Sequence, residues 1–176
     1  MKMVKYTLLL ILLTSNFFLS ATTYTSTDGG DWTSSDTWSP AGVPGIGDEV
    51  IINGHTVTHD DGTVYIDKIT ITNSSGSAGR LHIESSGKII VTNNVIVNSH
   101  NFNADTRLKV KNSGELEVGG NISFERQSNN TKATRCQLYM EDDAKVTILG
   151  NYIYNHKNGF ETKSELWMQE NAILTV

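Results

Sequence analysis

The sequence predicts an all-β chain, a right-handed parallel β-helix of about three and a half coils of 27–30 residues behind an N-terminal cap. Three observations carry this. Leu81 to Val91, Leu108 to Val118 and Leu138 to Ile148 superpose without a gap, and Leu166 to Val176 starts the same pattern again. The starts at 81, 108, 138 and 166 lie 27, 30 and 28 residues apart, the length of one solenoid coil with three short strands. From Val50 onward the apolar runs are short, β-branched and bounded by Asn, Asp, Ser or Gly, and no segment sustains a 3.6-residue period.

The elements follow in chain order. Lys2 and Lys5 precede a short apolar stretch, and Ser20, Ala21 and Thr22 offer a cleavage point, so residues 1–21 are expected to be an export signal. That stretch is too short to span a bilayer, and no membrane span is expected once it is removed. Without Lys2 and Lys5, 12 basic residues face 19 acidic ones, which moves the formal net charge from −5 to about −7 and argues against a nucleic-acid partner. A single cysteine, Cys136, excludes an intramolecular disulfide; it falls in a variable connection and suggests no role. Residues 22–49, rich in Ser, Thr, Asp and Gly and holding both prolines, are expected to form an irregular cap. A β-helix has an open end where apolar rungs and unpaired strand edges would meet water. Trp32, Trp38, Pro40 and Pro44 are positioned to plug it, with Gly47-Asp48 turning the chain into a first strand, Val50 to Ile52, and Asn53-Gly54 turning it again.

Residues 50–176 are the repeats. Strand residues two apart share a face, so Leu81/Ile83, Leu108/Val110, Leu138/Met140 and Leu166/Met168 form one inward column pair. Ile89/Val91, Leu116/Val118, Val146/Ile148 and Leu174/Val176 form the next, and Val95/Val97, Ile122/Phe124 and Tyr152/Tyr154 a third. Gly87, Gly114, Ala144 and Ala172 occupy the bend between the first two, where a small residue is needed. In-register stacking brings equivalent residues to about 4.8 Å, where like charges repel. The outward columns Lys88, Glu115, Lys145 and Glu84, Lys111, Glu141 both alternate in sign, an independent check on the register. Connections 98–107, 125–137 and 155–165 absorb the differences in coil length and are the places where binding loops are expected. Leu174 and Val176 would lie on an uncapped edge, so the sequence is expected to be the start of a longer chain whose further coils cover them.

The stretch from Trp32 through Trp38-Ser-Pro40-Ala-Gly42-Val-Pro44-Gly45-Ile-Gly47-Asp48-Glu-Val50-Ile-Ile52-Asn-Gly54-His-Thr-Val57 resembles the opening of bacterial secreted, adhesin-like β-helix proteins of the kind exported by the type IX route. It also resembles the domain named for its eight glycines. The resemblance covers roughly residues 31–71 and implies an extracellular or cell-surface setting and a carbohydrate or surface partner. The long C-terminal region and sorting domain of such proteins are not present in this sequence.

Candidate chemistry is sparse. His55 and His59, followed by Asp60 and Asp61, flank the β-branched Thr56-Val57-Thr58; on a strand, residues four apart are about 13 Å from one another and cannot grip one ion, so no metal is expected there. Glu141-Asp142-Asp143 offers oxygens to calcium but recurs in no other rung and reads as a solvated turn. The triplets at Asn73, Asn121 and Asn129 match a glycosylation acceptor but carry little meaning in a bacterial product. No nucleophile elbow or phosphate-binding loop is present, and no cofactor is expected. The outward column His82, Lys109, Tyr139 and Trp167 sets two aromatics beside a basic residue and is the candidate ligand site, a stacking surface for sugar rings. The expected function is therefore a secreted or cell-surface structural or adhesive module, non-catalytic as it stands and glycan-binding. The alternative is the N-terminal part of a polysaccharide lyase or glycoside hydrolase, whose paired carboxylates only a spatial arrangement reveals.

Overall fold

The computed structural model describes residues 20–73, 76–99, 104–126, 135–155 and 164–176. The expected export signal lies, apart from Ser20 and Ala21, outside the described residues, as do the central parts of the three long connections. The chain is a parallel β-helix with three sheets and five complete coils rather than three and a half. Ahead of them, β1 (Thr23–Ser26) and β2 (Gly30–Asp31) open a partial rung, a 3-10 turn covers Ser35–Thr37, and β3 (Trp38–Ser39) follows. The coils are β4 (Glu49–Asn53), β5 (Thr56–His59) and β6 (Thr63–Ile66); β7 (Lys68–Thr72), β8 (Arg80–Ile83) and β9 (Lys88–Val91); β10 (Val95–Ser99), β11 (Thr106–Val110) and β12 (Glu115–Val118). They continue with β13 (Ile122–Arg126), β14 (Cys136–Met140) and β15 (Lys145–Ile148), then β16 (Tyr152–Asn155), β17 (Ser164–Met168) and β18 (Ile173–Thr175).

Sheet A stacks β3-β1-β4-β7-β10-β13-β16, sheet B stacks β2-β5-β8-β11-β14-β17, and sheet C stacks β6-β9-β12-β15-β18. Every pairing is parallel except β1 with β3. The register matches the repeats: Leu108 faces Leu81 and Leu138, and Leu116 faces Ile89 and Val146. The inward columns of the middle rungs are fully buried and merge into one core. The backbone ladder also runs around corners, as where the N–H of Gly119 donates to Val91 and that of Leu149 to Val118.

One complete coil, the first, escapes a gap-free superposition for a local reason. In the first, Val57 and Val64 take the places of Leu81 and Ile89, seven residues apart instead of eight, so the repeat slips by one. His59 also stands where the later rungs carry Ile83, Val110 and Met140. It is buried, and its Nε2–H donates to the Gly62 carbonyl at 3.1 Å. Residues 22–49 are correspondingly not irregular throughout, since β1 pairs with β4 and β2 with β5. At this end Trp32 and Trp38 are buried against each other at 5.1 Å, edge to face, and the Trp38 indole N–H donates to the Trp32 carbonyl at 2.8 Å. No helix among the described residues is long and apolar enough to cross a membrane.

The bend residues are small because the rung below is close. A Cβ at Gly87 or Gly114 would stand 2.5 Å from the carbonyl oxygen of His59 or Ile83. Two positions earlier, Ser85, Asn112, Asp142 and Glu170 hold positive φ of 53°, 50°, 56° and 56°, a region costly for residues with a side chain. The connections are narrower than expected at 98–107 and 125–137, because the sheets take in Asn98, Ser99, Thr106 and Arg107 and then Glu125, Arg126, Cys136 and Gln137. Cys136 is thus not a loop residue; it is buried at the head of β14, with the Thr106 hydroxyl 3.3 Å from its Sγ.

Candidate functional site

Alternation on β8, β11, β14 and β17 sends His82, Lys109, Tyr139 and Trp167 outward, and the parallel register stacks them as direct neighbours. All four expected site residues therefore share one column on the outer face of sheet B. The rings of Tyr139 and Trp167 lie 6.1 Å apart and 15° from parallel. On the rung below, the Lys109 ammonium sits 5.0 Å and the Arg107 guanidinium 5.7 Å from the centre of the Tyr139 ring. Both faces of Tyr139 are thus engaged, one by cations and one by Trp167, which narrows the open aromatic surface to Trp167, 47% exposed.

The polar groups around this column are ordered by charge. Lys109 pairs with Glu141, and Lys111 pairs with Glu84 at 3.2 Å. The expected Glu84, Lys111, Glu141 ladder is thus half made, because the Glu141 carboxylate goes diagonally to Lys109, which holds it below the usual carboxylate range. Burial, with the Glu141 charge beside it, pushes the Tyr139 hydroxyl up. His82 stands 3.5 Å from Glu84, and its Nε2 is buried without a hydrogen-bond partner. Burial lowers the His82 pKa below 6.5; Glu84 opposes that shift and Lys109, Lys111 and Arg80 add to it.

Sequence reasoning passed over the adjacent outward column, Arg80, Arg107, Gln137 and Glu165. Arg107 donates through Nε and Nη2 to Gln137 Oε1 at 2.9 and 2.7 Å, and Gln137 Nε2 donates to Glu165 at 2.8 Å. Arg135 lies 3.6 Å from Glu165, so the upper end is neutralised. Arg80 carries no ion pair among the described residues, and its Nε is buried without an acceptor. The sequence carries a signal for them: both arginines sit two residues before His82 and Lys109, on the same outward face of the strand and just ahead of the Leu81 and Leu108 repeat starts.

The other candidates resolve into structural roles. Lys88, Glu115 and Lys145 form the expected ladder on sheet C, with contacts of 3.4 and 3.1 Å, and the hydrogen bonds from Lys145 and Lys88 draw the Glu115 pKa down against its burial. The acidic run divides: Glu141 turns to Lys109, Asp143 accepts from Asn171 at 3.2 Å, and Asp142 meets Glu170, whose pKa is raised by that hydrogen bond and the neighbouring charges. No group of three or more His, Cys, Asp or Glu side chains suited to a metal occurs among the described residues. His55 Nδ1–H reaches the Ser26 carbonyl at 3.1 Å. Of the glycosylation triplets, Asn73 is buried and donates to the Ala104 carbonyl, Asn121 accepts the Asn151 backbone N–H, and Asn129 lies outside the described residues. A shallow concavity along the corner of sheets B and C is lined by Ser85, Ser86, Asn112 and Ser113 with Lys88 and Glu115, polar groups without an aromatic surface. No family model, curated protein or solved structure matches the chain.

Proposed function

We propose that this chain is an extracellular, non-catalytic β-helix module, a rigid spacer that holds a glycan on the outer face of sheet B. One observation carries the reading: His82, Lys109, Tyr139 and Trp167 stack in register on four successive rungs, leaving the large ring of Trp167 open above a column of polar and basic groups. Flat aromatic faces beside hydrogen-bonding groups suit sugar rings, which have apolar C–H faces and polar edges. Hydrogen-bonded sheets also hold such groups more firmly than loops do. The export-type N-terminus and the resemblance of residues 31–71 to secreted surface proteins support an extracellular setting, where polysaccharide is an available ligand.

The test is affinity electrophoresis of the purified chain through gels loaded with a panel of soluble polysaccharides, neutral and charged. At least one is expected to retard the protein, and Trp167→Ala is expected to weaken that retention by about tenfold, the loss of one aromatic contact. An unretarded wild-type chain, or retention unchanged in Trp167→Ala, overturns the proposal.

A further inference from the structure

We infer that Arg80 and Arg107 form an anion-recognition site on sheet B, and that the glycan it takes is an acidic polysaccharide whose carboxylates dock on the two guanidinium groups. This rests on the glycan reading and adds the ligand's charge and its polymeric character.

The two arginines face each other in register on adjacent rungs, both outward and half-buried. Elsewhere the stacked charges alternate: Lys88 with Glu115, Glu115 with Lys145, Glu84 with Lys111. Like charges at such positions are destabilising, so a pair of stacked arginines departs from the alternation of those strand columns. Neither arginine is neutralised from within. Arg80 has no ion pair among the described residues, and Arg107 spends its donors on the neutral Gln137 and its flat face on Tyr139. Thr56 below Arg80 and Gln137 above Arg107 are uncharged.

Carboxylates nearby are already committed. Glu84 and Glu141 serve Lys111 and Lys109, Asp105 accepts the Arg135 backbone N–H at 2.8 Å, and Glu125 accepts the Ser123 hydroxyl at 3.2 Å. Lys109 and Lys111 thus take Glu141 and Glu84, while Arg80 and Arg107 meet no carboxylate among the described ion pairs. Two stacked guanidinium groups without a carboxylate are suited to an anion, and the guanidinium fork matches a carboxylate through two parallel hydrogen bonds.

The distance to the aromatic face sets the ligand's size. Arg80 lies on β8 and Trp167 on β17, three rungs higher, about 14 Å at the usual strand spacing. A single sugar acid cannot reach both, whereas a chain running along the stack can.

The test uses alginate, a polyuronate, and its propylene glycol ester, in which the carboxyls are masked on the same backbone, with the purified chain and gel retention or calorimetry as the readout. Alginate is expected to bind at least tenfold tighter than the ester. Arg80→Gln with Arg107→Gln is expected to remove that preference by bringing alginate binding down to the level of the ester, Arg107→Lys to retain part of it, and Trp167→Ala to weaken both polymers alike. Melting curves of each variant identify any loss that comes from unfolding, and Arg107→Lys, which keeps the charge, gives a second reading if the double variant melts early. Equal binding of alginate and ester, or an alginate preference that survives both Arg→Gln changes, overturns the anion site while the glycan reading stands. Preference for single-stranded DNA over alginate overturns it in favour of a nucleic acid. Binding of neither alginate nor ester overturns the inference, and retention on the neutral polysaccharides then decides the broader reading separately.

Discussion

A middle rung and the last rung carry the same residue pattern and meet different surroundings. Leu108 and Val110 on β11 are wholly buried between β8 and β14, whereas their counterparts Leu166 and Met168 on β17 are 39% and 43% exposed. The other end of the stack differs again, because Trp32 and Trp38 lie over the first complete coil and are themselves buried. Burial here is not a property of a rung's own sequence. Each rung is covered by its two neighbours, so its stability is a nearest-neighbour quantity, and an indole can stand in for a neighbour where a rung is missing.

Truncation mutants should reproduce that order. Trp32→Ala is expected to cost about 3–5 kcal/mol and Leu108→Ala about 2–5 kcal/mol, the usual range for emptying a buried site, while Leu166→Ala is expected to cost about 1 kcal/mol or less. Urea unfolding of the three variants measures this. If Leu166→Ala costs as much as Leu108→Ala, the last rung is covered in solution by another chain and the comparison breaks.

The turns allow a finer comparison. Glu170, in the last B-to-C turn, is held at φ 56° and set against the Asp142 carboxylate, while the equivalent Asn112 has φ 50° and a side chain that tolerates this region. Glu170→Gly is expected to raise the urea midpoint and Asn112→Gly to raise it less, since glycine relieves the backbone but loosens the unfolded chain. The difference in urea midpoint between the two variants is the measurement.

The smallest effect is tied to acid. The His82 pKa lies below 6.5 in the folded chain, with burial the main cause, so between its folded and unfolded values the unfolded chain binds the proton more readily. Stability from this group is therefore present above pH 6.5 and lost as pH falls through the folded pKa. His82→Gln is expected to reduce the drop in melting temperature between about pH 7.5 and about pH 5. An unchanged drop would assign the acid sensitivity to other groups.

Much of the fold was legible because period-two alternation and a near-constant coil length both survive in the sequence from Leu81 onward. The first complete coil was not, since a corner shorter by one residue and a histidine in an inward column hide it from a gap-free comparison. At the candidate site, register follows from the repeat, so His82, Lys109, Tyr139 and Trp167 could be aligned from sequence. What their rings and charges do to one another could not. That Tyr139 is covered on both faces, and that Glu141 chooses Lys109 over Lys111, depend on rotamers and on competition among several partners within a few ångströms.

The sequence by itself determined the class of fold, the inward and outward identity of nearly every strand residue from Leu81 onward, and the direction of stacking, because strand periodicity is local and the repeat transmits it from rung to rung. Only the tertiary structure decided how many coils there are, which tryptophan stays open, and which cations remain without a carboxylate. Those outcomes depend on groups far apart in the chain, and on how a limited number of acceptors is shared among donors that meet only once the coils have stacked.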